Sequence, residues 1–534
     1  MRNFRLIILL AISLHFTPAA AHSASDQESK PVLRDGAGLD ILEAVRTTLE
    51  LHPLLLLQQK QVDVSRAVKQ QRGADFDPML QWSARQSRTN DPLTDLQILA
   101  LLDSGLDLKN QVTHVTTVGG SYQRQLRSGI VIGPRIEMSR TTDNVQSTEG
   151  ASRARLSFEV NVPLRRGKGR DVVAASETSA GIGVEASLYD LNQTIAERIL
   201  ATAVSYWGYV AALKQLEIIT DSEARGKQYV DSIQTLIAAD RLPRNEINQV
   251  LANFASRTAT RVAYEGRAAE ARNNLALAMG LSPARLTDLS KPSDSFPEAE
   301  SQEAPSLSAE GIQNQIIRAL PRRADFLAAE RRKEAANVLR KPAKDGLLPK
   351  LDLFLSGGYT GLHEGRRPDE FLASPFTRLG GPDMVLGLRY TFPAGNNLAL
   401  GQMAEAEAAY EQTVLLSSET ARVIANGLSN AAVAAYSSMH QLNKAREAVT
   451  GYQAALEGEQ DKLRLAAGSL TDLLQVESRL TDAMLALVDA QQAFAKALVQ
   501  YRFAGGTLIA PDKTVQSVDR ECFFALPREN SPRE

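Results

Sequence analysis

Ala466-Ala467-Gly468-Ser469-Leu470-Thr471-Asp472-Leu473-Leu474-Gln475-Val476 is a polar, glycine-marked turn between two long alanine-rich helical patterns, and it reads as the tip of a helical hairpin. Downstream of it, apolar or small residues fall at Leu473, Val476, Leu480, Ala483, Leu487, Ala490, Phe494, Ala497 and Tyr501. Steps of three and four alternate, a 3.5-residue period that marks a coiled-coil seam with a left-handed supercoil. The same device occurs earlier, at Asp240-Arg241-Leu242-Pro243-Arg244-Asn245-Glu246-Ile247-Asn248-Gln249-Val250, with a seam at Ile247, Val250, Phe254, Arg257, Arg261, Tyr264, Ala268, Ala271 and Leu275. One constant offset relates the two stretches position for position, from Gln249 and Gln475 to the closing Gly280 and Gly506. The chain is an internal duplication, one architecture built twice.

A second constant offset, larger than the first, relates the segments that precede each long helix. His52-Pro53, inside a helical pattern from Leu39 to Gln71, corresponds to Arg323-Ala324, and Pro78 corresponds to Pro349. A strand pattern starts at each of these prolines, where a helix cannot continue. Leu351, Leu353 and Leu355 alternate with Lys350, Asp352 and Ser356, and Leu80 and Trp82 repeat the pattern more weakly. Returning strands follow: Leu156, Phe158, Val160 and Val162 in the first half, then Met384, Leu386, Leu388, Tyr390 and Phe392 in the second. Strands of about ten residues, apolar on one side and polar on the other, suit a barrel with a lipid face and an aqueous lumen. Alternation alone leaves an amphipathic sheet on a soluble core equally open; the long helices and the duplication favour the barrel. The first strand region, about 78–163, is longer than the second, about 349–393. Its excess holds a short helix pattern, Asp95 to Leu108, and strand-like runs near Val112–Arg124 and Ile130–Arg140, which either add a hairpin to the barrel or decorate its mouth.

These signals divide the chain into a signal peptide (1–21), a flexible segment (22–38), a first repeat (39–280), a linker (281–308), a second repeat (309–506) and a polar, poorly ordered tail (507–534). Long helices are expected at 171–239 and 397–465, with return helices at 244–280 and 471–504. The return helices are about half as long, so the segments before Pro78 and Pro349 are expected to cover the remainder. Arg2 and Arg5 before the apolar run Leu6–Leu14, then Thr17-Pro18-Ala19-Ala20-Ala21, have the form of an export signal cleaved after Ala21. No later run reaches the ~18 apolar residues of a transmembrane helix, so membrane insertion would require closed strands. The single cysteine, Cys522, excludes a disulfide framework and leaves none at the cleavage site for a lipid anchor.

Lys plus Arg (60) nearly balance Asp plus Glu (62), which gives no footprint for nucleic acid. The six histidines show no metal-ligand spacing and no nucleophile motif occurs, so neither catalysis, cofactor nor metal is expected. Arg165-Arg166-Gly167-Lys168-Gly169-Arg170 superficially suggests a phosphate-cradling loop but lacks its spacing, and reads better as a basic strand-to-helix junction.

The duplicated order of helix, strands, long helix, tip and return helix resembles the outer membrane efflux protein family, the TolC-like channels of Gram-negative bacteria. Local matches are His52-Pro53 and Ala324-Asp325 entering each first helix, Val162-Pro163-Leu164 and Phe392-Pro393 closing each hairpin, and Gly468-Ser469-Leu470-Thr471-Asp472-Leu473-Leu474 at the tip. The resemblance covers roughly Leu39 to Gly506. It implies a mainly α protein with a membrane β-barrel: a homotrimer whose strands close one barrel among outer-membrane lipids and whose helices form a periplasmic tunnel. Two departures stand out: the long first strand region, against the usual four strands per chain, and Asp240, where many relatives carry glycine.

The implied function is a passive exit duct of a tripartite efflux or type I secretion system, reached by an inner-membrane pump through a periplasmic adaptor. The alternative is an exported coiled-coil scaffold without channel activity. Asp240, Arg241, Arg244, Glu246, Asp461, Arg464 and Asp472 are candidate gate residues, or else solvated hairpin ends with Thr471 and Asp472 as caps. Leu242, Pro243, Gly468, Ser469 and Leu470 are the expected adaptor-docking tips. Arg257 and Arg261 occupy seam positions that Ala483 and Leu487 fill in the other repeat, facing either the lumen or an adaptor groove, or snorkelling at the surface.

Overall fold

The structure is a computed structural model and describes residues 38–145, 149–239, 246–282, 285, 289–299, 304–365, 367–464, 469–509 and 518–527. The expected signal peptide (1–21) and all but the last residue of the segment after it lie outside the described residues.

Leu39 onward begins with α1 (Ile41–Leu51) and α2 (Pro53–Gly73), one helical pattern broken at His52. His52 has extended backbone, and its Nδ1 accepts the Leu54 amide, so the imidazole caps α2 while Pro53 takes the first helical position. Strand β1 (Met79–Pro92) follows, then α3 (Asp95–Asp103), β2 (Asn110–Gln125), β3 (Val131–Asp143) and β4 (Ala151–Pro163). A short turn of helix, α4 (Arg170–Val173), leads into α5 (Ala175–Ala238), and α6 (Glu246–Ala278) returns. The second repeat runs α7 (Ala309–Ala319), α8 (Ala324–Gly346), β5 (Lys350–Glu364), α9 (Pro368–Ala373), β6 (Gly380–Thr391), α10 (Asn397–Arg464) and α11 (Leu470–Ala504). A last turn of helix, α12 (Glu521–Phe524), follows. At 64 and 68 residues, α5 and α10 are each on the order of 100 Å long.

Return helix α6 packs on α5 and α11 on α10, while α2 lies on α5 and α8 on both α5 and α10. The short helices therefore cover what the return helices leave open. The 3.5-residue seam is buried as its period requires: Leu473, Leu480, Ala490, Phe494, Ala497 and Tyr501 all face inward. Each repeat closes in the same way. Gly280 has φ +77, and a Cβ there would meet the His52 backbone at 2.6 Å; Gly506 has φ +68, with Arg322 at 3.0 Å. Both glycines thus seat the end of a return helix against the residues that lead into the earlier short helix of the same repeat.

The largest core cluster gathers Trp207, Tyr206, Phe494, Phe296 and Phe523 from both repeats, the linker and the tail. Part of the tail expected to be loose packs here: in 518–527, Phe523 is fully buried and Phe524 packs edge-on against Trp207, while 510–517 and 528–534 lie outside the described residues. The linker is likewise tied down, its Pro292 bridging to Leu39 and its Phe296 stacked near Trp207. Apolar side chains spaced within an otherwise polar tail are enough to dock it when a groove between helices receives them.

The six strands form one antiparallel sheet in the order β1-β2-β3-β4-β5-β6. The two extra runs of the first repeat are therefore a hairpin within the sheet, between β1 and β4, and not a decoration of its rim.

Candidate functional site

Register makes the sheet two-faced. Leu80 pairs with Tyr122 and Trp82 with Gly120, Val118 with Met138 and Gly120 with Ile136, Ile136 with Leu156 and Ile132 with Val160. Val160 then pairs with Leu355 and Val162 with Leu353, and Leu355 pairs with Leu386 and Leu353 with Leu388. Because side chains alternate with period two, these pairs place most of the apolar residues of the six strands on one face. The opposite face carries Ser83, Arg85, Thr117, Arg135, Glu137, Arg155, Glu159, Ser356 and Arg389, with Arg135 and Glu159 paired at 3.8 Å. The apolar face is uncovered at both ends of the sheet: Trp82 is 73% and Met384 83% exposed. A soluble sheet would bury such a face. Among the described residues, no helix is long and apolar enough to cross a membrane.

The sheet is fixed to the helices at one end. The β2–β3 turn places Arg127 with two hydrogen bonds of 2.7 Å to Glu177 at the start of α5, and its guanidinium lies 4.6 Å over Phe76, in the short turn between α2 and β1. The basic junction Arg165–Arg170 is a connection and not a ligand cradle. Its Gly167 amide donates to Asp345 at 2.6 Å and its Gly169 amide to the Ser128 carbonyl at 3.0 Å.

At the far end of the helices, Asp240, Arg241, Leu242, Pro243, Arg244 and Gly468 lie outside the described residues, as do the side chains of Glu246 and Arg464. Glu246 opens α6, Arg464 closes α10, and Asp461 lies one turn before that end. Ser469, not Thr471, caps α11, its side chain accepting the Thr471 amide at 3.2 Å. Asp472 occupies the first turn. The Glu459 carboxylate holds the Lys462 ammonium above its usual value, and Asp472 adds to this across the hairpin. Leu470 is half-buried against Val230, Ile233 and Val250 of the first hairpin, so it joins the two tips.

Arg257 is engaged within the chain. It is largely buried, and its guanidinium donates to Ser222 O and Oγ, to Asn253 and to Glu477. Glu477, on α11, is fully buried and also receives the Arg225 Nε of α5 at 3.0 Å. Gly226 makes room for this: a Cβ there would meet Arg257 Cδ at 2.9 Å. Arg261 is half-buried and pairs with Glu223 and Glu265. The two hairpins are thus joined by an Arg–Glu–Arg triad centred on the buried Glu477, which the local sequence signals did not bring together. Its signal was an arginine at a seam position, which demands an acid opposite, but nothing local singles out Glu477 among the acids.

No protein-family model and no curated protein matches the chain. Solved structures do. The outer-membrane channel OprN superposes with a TM-score of 0.62 at 16% identity, covering 89% of this chain and 91% of its own. The CmeC outer membrane channel of Campylobacter jejuni gives 0.62 at 14% identity over 89% and 87%. The outer membrane protein VceC of Vibrio cholerae gives 0.60 at 17% identity over 87% and 96%. The chain has the TolC-like outer-membrane channel fold. In this TolC-like fold the two-faced sheet and the joined helical hairpins are parts of one architecture, and its sheet carries six strands.

Proposed function

We propose that this chain is an outer-membrane exit duct: three copies close one barrel in the membrane, and their helices continue it through the periplasm as a water-filled tunnel. The observation that carries the reading is the register-matched sheet, one face largely apolar and uncovered at both ends of the sheet, the other mainly polar, mounted on helices on the order of 100 Å long. Export by the 1–21 signal peptide would deliver it. The duct supplies a path and no energy, which an inner-membrane pump provides through a periplasmic adaptor docked at the tips around 240–246 and 465–472. Polar groups there, Asp240, Arg241, Arg244, Glu246, Asp461, Arg464 and Asp472, form the gate.

Single-channel conductance of the purified mature protein in a planar bilayer tests this, before and after Asp240, Arg464 and Asp472 are replaced by Ala. Discrete openings that enlarge in the variant support a duct closed at its tips, whereas unchanged openings keep the duct and move the gate elsewhere. Silence from protein shown to be folded and inserted sinks the duct in favour of a scaffold.

A further inference from the structure

Among the described residues, no strand pairs with the outer edges of β1 and β6. β1, of 14 residues, and β6, of 12, are exposed along nearly their whole length, and an open edge of this length is a template for another strand. Successive strands are antiparallel, so β1 leads away from the helices and β6 returns toward them. The β6 edge of one chain can therefore extend the β1 edge of a second copy, antiparallel. Faces match as well: with Leu80, Trp82 and Ala84 opposite the set Leu386, Leu388 and Tyr390, the apolar face continues unbroken across the joint. Six strands are too few to close on themselves, since the smallest membrane barrels have about eight.

The β2–β3 hairpin belongs to this wall. It supplies Val118, Ile132, Ile136 and Met138 to the apolar face and is hydrogen-bonded on both sides, to β1 and to β4. Its turn is also locked to the helices by Arg127 on Glu177.

We propose that the chain's β1 and β6 edges are self-association surfaces, and that each copy contributes six strands, so that the three-copy duct proposed above closes an eighteen-stranded barrel. The inference rests on that duct reading. Its consequence is a pore wider at the membrane than four strands per chain would make. With strands about 4.8 Å apart and tilted by about 40°, a cylinder of eighteen has a radius of about 18 Å and one of twelve about 12 Å. Equivalent backbone positions in three copies then lie about 31 Å apart in the first case and about 21 Å in the second.

Pulsed electron-spin distance measurement decides between them. Glu137→Cys, on the polar face of β3, is spin-labelled in a Cys522→Ser background, after conductance and a three-copy mass have been shown for the same preparation. Arg85→Cys on β1 is a second label should the first prevent assembly. The longer of the two distances supports eighteen strands. The shorter one, in a conducting trimer, overturns the six-strand contribution and leaves the duct intact. Folded protein that neither conducts nor reaches three copies overturns the duct and the inference with it.

Discussion

At the residue scale, Glu477 and the two arginines that hold it decide how firmly the hairpins are joined. Glu477 is fully buried, and both of its oxygens are taken, one by Arg225 and one by Arg257. A buried ion pair is weak evidence for net stability, since desolvation offsets most of the attraction, but removing one partner leaves charge stranded. Glu477→Gln strands two arginines and is expected to lower stability by about 3–5 kcal/mol, read as a lower denaturant midpoint of the helical circular dichroism. Replacing Arg225, Arg257 and Glu477 together with apolar residues of similar volume is expected to recover most of that loss. If the single and triple variants are equally destabilised, the triad does not hold the hairpins together electrostatically.

His52 makes a second residue-scale prediction, in pH. Its Nδ1 can accept the Leu54 amide only while unprotonated, and burial, helped by the Arg198 guanidinium, lowers its pKa below the ordinary value. The unfolded chain takes up the proton first, at about pH 6.5. Stability is therefore fully present above that pH and lost as pH falls through the folded-state value. His52→Asn keeps a capping side chain without a titrating ring, so it is expected to flatten this part of the stability–pH profile. An unchanged slope would assign the dependence to other groups.

At the element scale, the helices and strands were legible because period is a local property. Steps of three and four placed Leu473 through Tyr501 on one seam, and alternation placed Leu351, Leu353 and Leu355 on one face, without knowledge of any partner. Whether the β2–β3 run joined the sheet was not legible, because pairing depends on which edges the rest of the chain presents. The turn that fixes it was equally hidden. Gly129 has φ +95, and a Cβ there would lie 2.2 Å from the Gly167 carbonyl oxygen, while Arg127 meets a glutamate 50 residues away. Backbone strain of this kind costs of order 1–3 kcal/mol. Gly129→Val is accordingly expected to loosen the junction strongly, seen as a lower midpoint of thermal unfolding. The half-exposed Arg127–Glu177 pair, screened by solvent, predicts a milder effect for Arg127→Ala. The opposite ranking would mean that charge, and not the close approach of the two loops, holds the turn.

At the scale of the whole molecule, segments far apart in sequence meet at Asp294. Its carboxylate receives the Ile41 amide at 2.8 Å, lies 2.8 Å from the Tyr206 hydroxyl and pairs with Arg520 at 2.6 Å. Burial and this hydrogen bond raise the Tyr206 pKa far above its usual value, so the phenol stays a donor at any working pH. One carboxylate thus joins the N-terminal helix, α5, the linker and the tail, and Phe523 and Phe524 cap the arrangement over Trp207. The chain has two tryptophans, Trp82 exposed on the sheet and Trp207 fully buried, so a Trp82→Phe variant reports on this node alone. Deleting 518–534 in that background removes Phe523 and Arg520 and uncovers the indole. Losing a buried aromatic of this size costs about 3–5 kcal/mol, and the Trp207 emission is expected to shift to the red with an earlier thermal transition. A single Asp294→Asn substitution, which keeps the aromatic cover, is expected to weaken the node with little spectral change. If the truncated protein kept its blue emission and its midpoint, the tail would be an accessory and the linker alone would hold the two repeats in place.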